Sequence, residues 1–118
     1  MPNSKQKGAR YEREIAAKLR EYGYEARRTA QYCGNSEESA DVVGLPFVHI
    51  ECKHYANKAV DYAWMEQAIR DAKGKIAWVV HRTDRHPNLV TMTLEDAMML
   101  YQSLEKVMMR IGEFLDEE

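Results

Sequence analysis

Apolar positions recur along this 118-residue chain with two different periods, and the alternation between them lays out the elements. From about residue 9 to residue 22 they return every three or four positions, the period of an amphipathic helix, and Gly23 supplies a natural stop. Residues 25–29 suit a short strand, and residues 31–39, with Cys33-Gly34-Asn35-Ser36 among them, read as a loop. Residues 41–44 and 47–53 read as two strands joined by a tight turn at Gly44-Leu45-Pro46. A second helix is expected over about residues 60–73, stopped by Gly74. Ile76-Ala77-Trp78-Val79-Val80 is an unbroken apolar run, as a strand buried on both faces requires, and residues 89–92 suit one further short strand. Thr93, with Asp96 three residues on, resembles a capping box that opens a long helix to about residue 115. This order predicts a single α/β domain with a mixed central sheet flanked by helices. Its core spans residues 7–93, and residues 94–118 add a C-terminal helix.

The strand at 47–53 carries the first candidate chemistry. Side chains alternate along a strand, so Val48, Ile50 and Cys52 share a core-facing side while His49, Glu51 and Lys53 share the other. A carboxylate and an ammonium therefore stand side by side in a segment apolar enough to be partly buried. An isolated E-x-K is most often an ordinary ion pair, so its neighbours decide. Hairpin pairing around the 44–46 turn brings Asp41 near Glu51. Two carboxylates at close quarters repel unless a cation or a proton lies between them, and hard oxygen ligands suit Mg²⁺ or Mn²⁺. A turn aspartate is the plainer account of Asp41.

The first helix gives an independent check. At about 100° per residue, Ile15, Leu19 and Tyr22 fall about 20–80° from Tyr11, with Ala16 at about 140°. Glu12, near 100°, lies inside this buried stripe, whereas Glu14, near 300°, is expected at the surface. A core-facing glutamate is costly without a partner. For Glu12 that partner is either a metal shared with Asp41 and Glu51 or a salt bridge to Lys53 or an arginine.

Composition changes the picture mainly by exclusion. Hydrophobic residues make up 45% and charged residues 31%, the balance of a folded domain rather than a disordered tail. No apolar run approaches the ~18–20 residues of a membrane helix. The N-terminal residues lack the apolar stretch of a signal peptide, so a cytoplasmic protein is expected. Cys33 and Cys52, without a CxxC pair, provide no disulfide framework and no zinc-finger signature. The net charge of −2 argues against a general polyanion binder, yet it is unevenly spread. Residues 1–30 hold eight Lys/Arg against four Glu, while residues 31–103 and 104–118 stand at −3 each. The basic segment is either a solvated helix face or a surface offered to phosphates.

Taken together, Lys7-Gly8-Ala9-Arg10-Tyr11-Glu12-Arg13-Glu14, Gly23-Tyr24, Arg28, Asp41-Val42 and Glu51-Cys52-Lys53 resemble the PD-(D/E)XK nuclease superfamily, and within it archaeal-type Holliday junction resolvases and phage-borne relatives. The likeness is good over residues 7–53 and looser beyond. It implies a restriction-endonuclease-like αβββαβ core and a metal-dependent DNA endonuclease. Glu12, Asp41, Glu51 and Lys53 would be the catalytic set. Asp41, Glu51 and the backbone carbonyl of Cys52 would hold one divalent ion, Mg²⁺ or Mn²⁺, with Glu12 helping to hold a second. Metal-activated water would attack phosphorus in line, Lys53 would orient it or offset charge, and the products would carry a 5′-phosphate and a 3′-hydroxyl. Arg10, Arg13, Arg27, Arg28 and Lys58 would grip DNA phosphates without reading sequence. The sequence departs from the pattern in having Ala40 before Asp41, a longer loop over residues 30–40, and the final helix. Three activities fit: a junction-resolving endonuclease, a nuclease of nicked, flapped or linear DNA in replication-repair or restriction, and a non-catalytic nucleic-acid-binding module on the same fold.

The remaining residues carry plainer expectations. Gln67 falls opposite the apolar side of the second helix and is expected at the surface, and Trp64 and Trp78 are expected in the core. In the last helix Ala97, Leu100, Leu104, Val107, Met108, Ile111, Phe114 and Leu115 share a stripe about 120° wide. Docking of that stripe on the sheet is the first expectation. Contact with a second copy is the other, since a symmetric four-way junction needs two active sites and so favours a homodimer.

Overall fold

The computed structural model describes residues 4–29, 40–56 and 59–116, which form a five-stranded mixed sheet and three helices. In chain order these are α1 (Ser4–Glu21), β1 (Arg27–Arg28), β2 (Val42–Val43), β3 (Val48–Tyr55), α2 (Tyr62–Ala72), β4 (Ile76–Thr83), β5 (Leu89–Thr91) and α3 (Leu94–Asp116). The strands lie side by side in the order β1-β2-β3-β4-β5. β3 and β4 run parallel, as a crossover through α2 requires, and the other neighbours are antiparallel. Val48 pairs with Ile76 and the pairing continues to Tyr55 with Thr83, so both strands outrun their apolar segments. Each supplies the other with ladder hydrogen bonds where the side chains have turned polar. The loop expected over residues 31–39 lies outside the described residues.

Two helices cover opposite faces of the sheet. On one, Tyr11, Ile15 and Ala16 of α1 pack against Val42, Ile50 and Val80. On the other, Trp64, Met65, Ala68 and Ala72 of α2 pack against Ala77 and Val79. His49 and Glu51 stand in register with Ala77 and Val79, so they lie on the α2 side and are themselves buried. Arg82 of β4 grips Glu14 with two hydrogen bonds, 2.7 and 3.2 Å, and lies over the Tyr11 ring.

The turn between β2 and β3 depends on glycine. Gly44 has φ +112°, and a Cβ there would sit 2.4 Å from the Glu25 carbonyl oxygen and 2.6 Å from Ala26 Cα. The segment leading into β1 therefore lies directly against the hairpin. α2 begins at Asp61, whose carboxylate accepts from the Ala63 N–H, and ends on Lys73 in the left-handed region. α3 begins as the sequence predicts, with Thr93 Oγ1 accepting from the Asp96 N–H.

Four expectations are corrected. Tyr22, placed in the buried stripe of the first helix, is 79% exposed, because α1 ends at Glu21 before it. Glu14 is half-buried rather than at the surface, because Arg82 reaches across from β4. Gln67 is also half-buried. The bulk of Trp64 draws the buried arc of α2 toward the side carrying Gln67 and Asp71, leaving Ile69 48% exposed. Most consequentially, the stripe of α3 is not docked on the sheet: no side chain of α3 is buried. Periodicity shows that a face is apolar; it does not say what covers it, and both sheet faces are already occupied by α1 and α2.

Candidate active site

The β2–β3 hairpin sets the centre of the site. Val42 pairs with Ile50, and the backbone N–H of Asp41 donates to the Ile50 carbonyl at 2.9 Å. The side chain of Asp41 turns back along β3, where its Oδ2 accepts the Cys52 N–H at 2.8 Å. A strand backbone thus fixes one carboxylate oxygen, and Asp41 lies near enough to Glu51 to bear on its carboxyl. Thr29 clamps the other side. Its backbone N–H donates to the Asp41 carbonyl at 3.1 Å and its hydroxyl donates to the Ala40 carbonyl at 2.7 Å, with the side chain 5% exposed.

Glu51 lies at the meeting point of these contacts. It is 4% exposed, and its Oε1 and His49 Nε2 are hydrogen-bonded at 2.8 Å. Burial is the largest influence on its carboxyl, and the neighbouring Asp41 adds to it, so its pKa rises to about 7 despite the hydrogen bond from His49, which pulls it down. Beyond His49 stands Asp71 of α2; the ligating atoms of His49, Glu51 and Asp71 all lie within 4.8 Å of one another. Among the described residues no other group of three such side chains is drawn so close.

Glu12 reaches the same cluster from α1. It is buried, and its carboxyl is raised first by burial and then by Asp41, against the lowering influence of Arg28 and Arg13. Arg28 Nε donates to Glu12 Oε2 at 3.0 Å. Of the two accounts of a core-facing Glu12, the arginine partner is present, and Asp41 lies near enough to raise its carboxyl. Cys52, between Glu51 and Lys53, has its thiol pushed up by burial, with Asp41, Glu12 and Glu51 adding to the effect and Lys53 opposing it. Asp41 thus bears on both Glu12 and Glu51, and Lys53 follows two positions after Glu51 along β3.

The basic residues are less concentrated. Arg10, Arg13 and Arg27 are exposed, Arg28 is half-buried against Glu12, and Lys58 lies outside the described residues. Arg28 spends one of its five donors on Glu12. Sequence reasoning passed over Thr29 and Asp71 altogether and left His49 as a hydrogen-bonded bystander. The signal for His49 was present, since it shares a strand face with Glu51. Nothing local in the sequence marks Thr29 or Asp71, whose places depend on strand pairing and helix packing.

Chemically, this is a buried cluster of hard oxygen donors with a lysine beside it. Glu12 and Glu51 hold their protons more tightly than usual because burial penalises their charge and Asp41 adds repulsion, which fits a divalent cation. No curated protein sequence matches the chain. Among solved structures, it is similar to Hjc, a Holliday junction resolvase from the archaeal hyperthermophile Archaeoglobus fulgidus. The TM-score is 0.57 and the identity 24%, covering 73% of this chain and 72% of that one. At this identity the likeness is one of fold, and it bears out the restriction-endonuclease-like arrangement with an added C-terminal helix. No described helix is long and apolar enough to cross a membrane. A family model described as "Phage putative PDDEXK endonuclease" matches residues 3–114. With nearly the whole chain inside that match and its fold agreeing, the protein belongs to the phage PDDEXK endonuclease family.

Proposed function

We propose that the protein is a divalent-metal-dependent, structure-selective DNA endonuclease that cuts branched DNA in the manner of a Holliday junction resolvase, acting as a pair of identical copies. The observation that carries this reading is the burial of Glu12, Asp41 and Glu51, with Asp41 and burial raising the carboxyls of the other two. A scaffold has no use for three carboxylates gathered in a buried place, whereas a cation site does. Membership of an endonuclease family and the fold likeness to a junction resolvase support the choice of substrate class. The phage association of the family supports a cytoplasmic site of action.

Asp41, Glu51 and the backbone carbonyl of Cys52 would hold Mg²⁺ or Mn²⁺, and Glu12 would help hold a second ion. When bound, such an ion makes water more acidic and offsets negative charge on the phosphate. The residues of the chain supply the rest. The Cys52 N–H and Thr29 hold Asp41 in place, and His49 fixes the orientation of Glu51. Lys53 hydrogen-bonds the attacking water or a phosphate oxygen. Glu12 holds the Arg28 guanidinium, whose remaining donors, together with exposed Arg10, Arg13 and Arg27 and with Lys58, contact backbone phosphates.

A cleavage panel tests the reading: labelled four-way junction, nicked, flapped, single-stranded and linear DNA, each with Mg²⁺ or Mn²⁺, alongside Asp41→Ala. Paired symmetric nicks in the junction that vanish in the variant are expected. Cleavage of the other forms instead would make it a nuclease of general repair or restriction type. No cleavage by the folded protein would leave a nucleic-acid-binding module.

A further inference from the structure

α3 runs for 23 residues and buries none of them. Its apolar residues are nonetheless ordered: Ala97, Leu100, Leu104, Val107, Ile111 and Phe114 recur at alternating steps of three and four, the a and d positions of a coiled-coil heptad. Leu104 is 57% exposed, Val107 53% and Phe114 63%, so the seam faces outward along its length. The flanking e positions, Leu94, Tyr101, Met108 and Leu115, widen it. A contiguous apolar strip of this size exceeds what a monomer surface ordinarily shows. Joined to its like, it would bury on the order of 1,500 Å² in total, the size of a stable interface.

The charges beside the seam say what the occupant is. The g positions hold Asp96, Ser103 and Arg110, with the acid and the base each seven residues from the serine. Two copies laid antiparallel about Ser103 set Asp96 of each against Arg110 of the other, on both sides of a two-fold axis. The same register stacks Leu100 on Leu104 and Ala97 on Val107. Parallel pairing instead sets both charges against apolar e positions. A stripe whose charges complement themselves under a two-fold rotation is an isologous surface.

We infer that α3 is a self-association helix, forming an antiparallel two-helix coiled coil with a second copy of this chain in which Asp96 pairs with Arg110 across the interface. The inference rests on the paired-nuclease reading for its purpose and on α3 alone for its geometry. Both active sites then hang from one two-fold axis, as symmetric incision of a junction requires.

Sedimentation of the full chain tests it. The wild type sediments as a dimer at micromolar concentration, and Leu104→Asp, at an exposed position outside both cores, sediments as a folded monomer. Arg110→Glu and Asp96→Arg each set like charges together twice per dimer and weaken self-association about tenfold. Mixed one to one, these two variants face opposite charges at both contacts and recover association close to that of the wild type. A monomeric wild type, a dimeric Leu104→Asp, or a mixture no tighter than its components would each overturn the inference. Mn²⁺-induced thermal stabilisation of the same samples separates the two readings. A monomer that Mn²⁺ still stabilises sinks the pairing and leaves the metal site standing, while a dimer that Mn²⁺ leaves unaffected does the reverse.

Discussion

Glu51 has two neighbours with opposite influence, and its behaviour with pH follows from them. Asp41 and burial raise its pKa, while His49 at 2.8 Å lowers it, leaving a value of about 7 against an ordinary 4.5. Between those two values the folded chain holds a proton that the unfolded chain has released. The metal-free protein therefore loses stability as pH rises from about 4.5 through about 7, with the full penalty present above. A divalent cation takes over the proton's task, so stabilisation by Mn²⁺ should grow over the same range and level off above about 7. Melting temperature against pH, with and without Mn²⁺, checks this. His49→Ala should move the midpoint of the Mn²⁺ effect to higher pH, because the lowering hydrogen bond is gone. An unmoved midpoint would show that His49 merely fills space. Both carboxylates were legible from strand alternation and hairpin pairing. The hold on them was not: Thr29 and Asp71 reach the site only through packing that no local pattern encodes.

At the scale of elements, the hairpin matters most because it sets the Asp41–Glu51 approach. Its turn tolerates no side chain at Gly44, where a Cβ would lie 2.4 Å from a carbonyl oxygen and φ is +112°. Gly44→Ala should cost more than about 2 kcal/mol in chemical denaturation, through both backbone strain and the clash with the segment before β1. A loss below about 0.5 kcal/mol would mean that the turn is free to rearrange. The periodicities placed every element and missed mainly extents and orientations. β3 and β4 lengthen one another by parallel pairing, and α2 presents a face shifted toward Trp64. The ion pair between Glu14 and Arg82, 68 residues apart, ties α1 to β4 and could not be read from either segment alone.

Across the whole molecule, a sheet covered on both faces forces the candidate carboxylates inward, and α3 is left without a face to cover. The first consequence explains why His49 and Glu51, on a strand expected to be partly buried, are only 5% and 4% exposed. The second fits the molecule's elongation, 61 Å against 33 and 28 Å across, since α3 buries none of its side chains. The central claim is that Glu12, Asp41 and Glu51 together hold the cation, and direct binding tests it most simply. Mn²⁺ would be titrated at pH 8 into the wild type, Asp41→Asn and Glu51→Gln, with free ion followed by electron paramagnetic resonance and folding by circular dichroism. The account predicts saturable binding by the wild type and a loss of tenfold or more, about 1.4 kcal/mol, in each folded variant. Equal Mn²⁺ binding by all three proteins would contradict it.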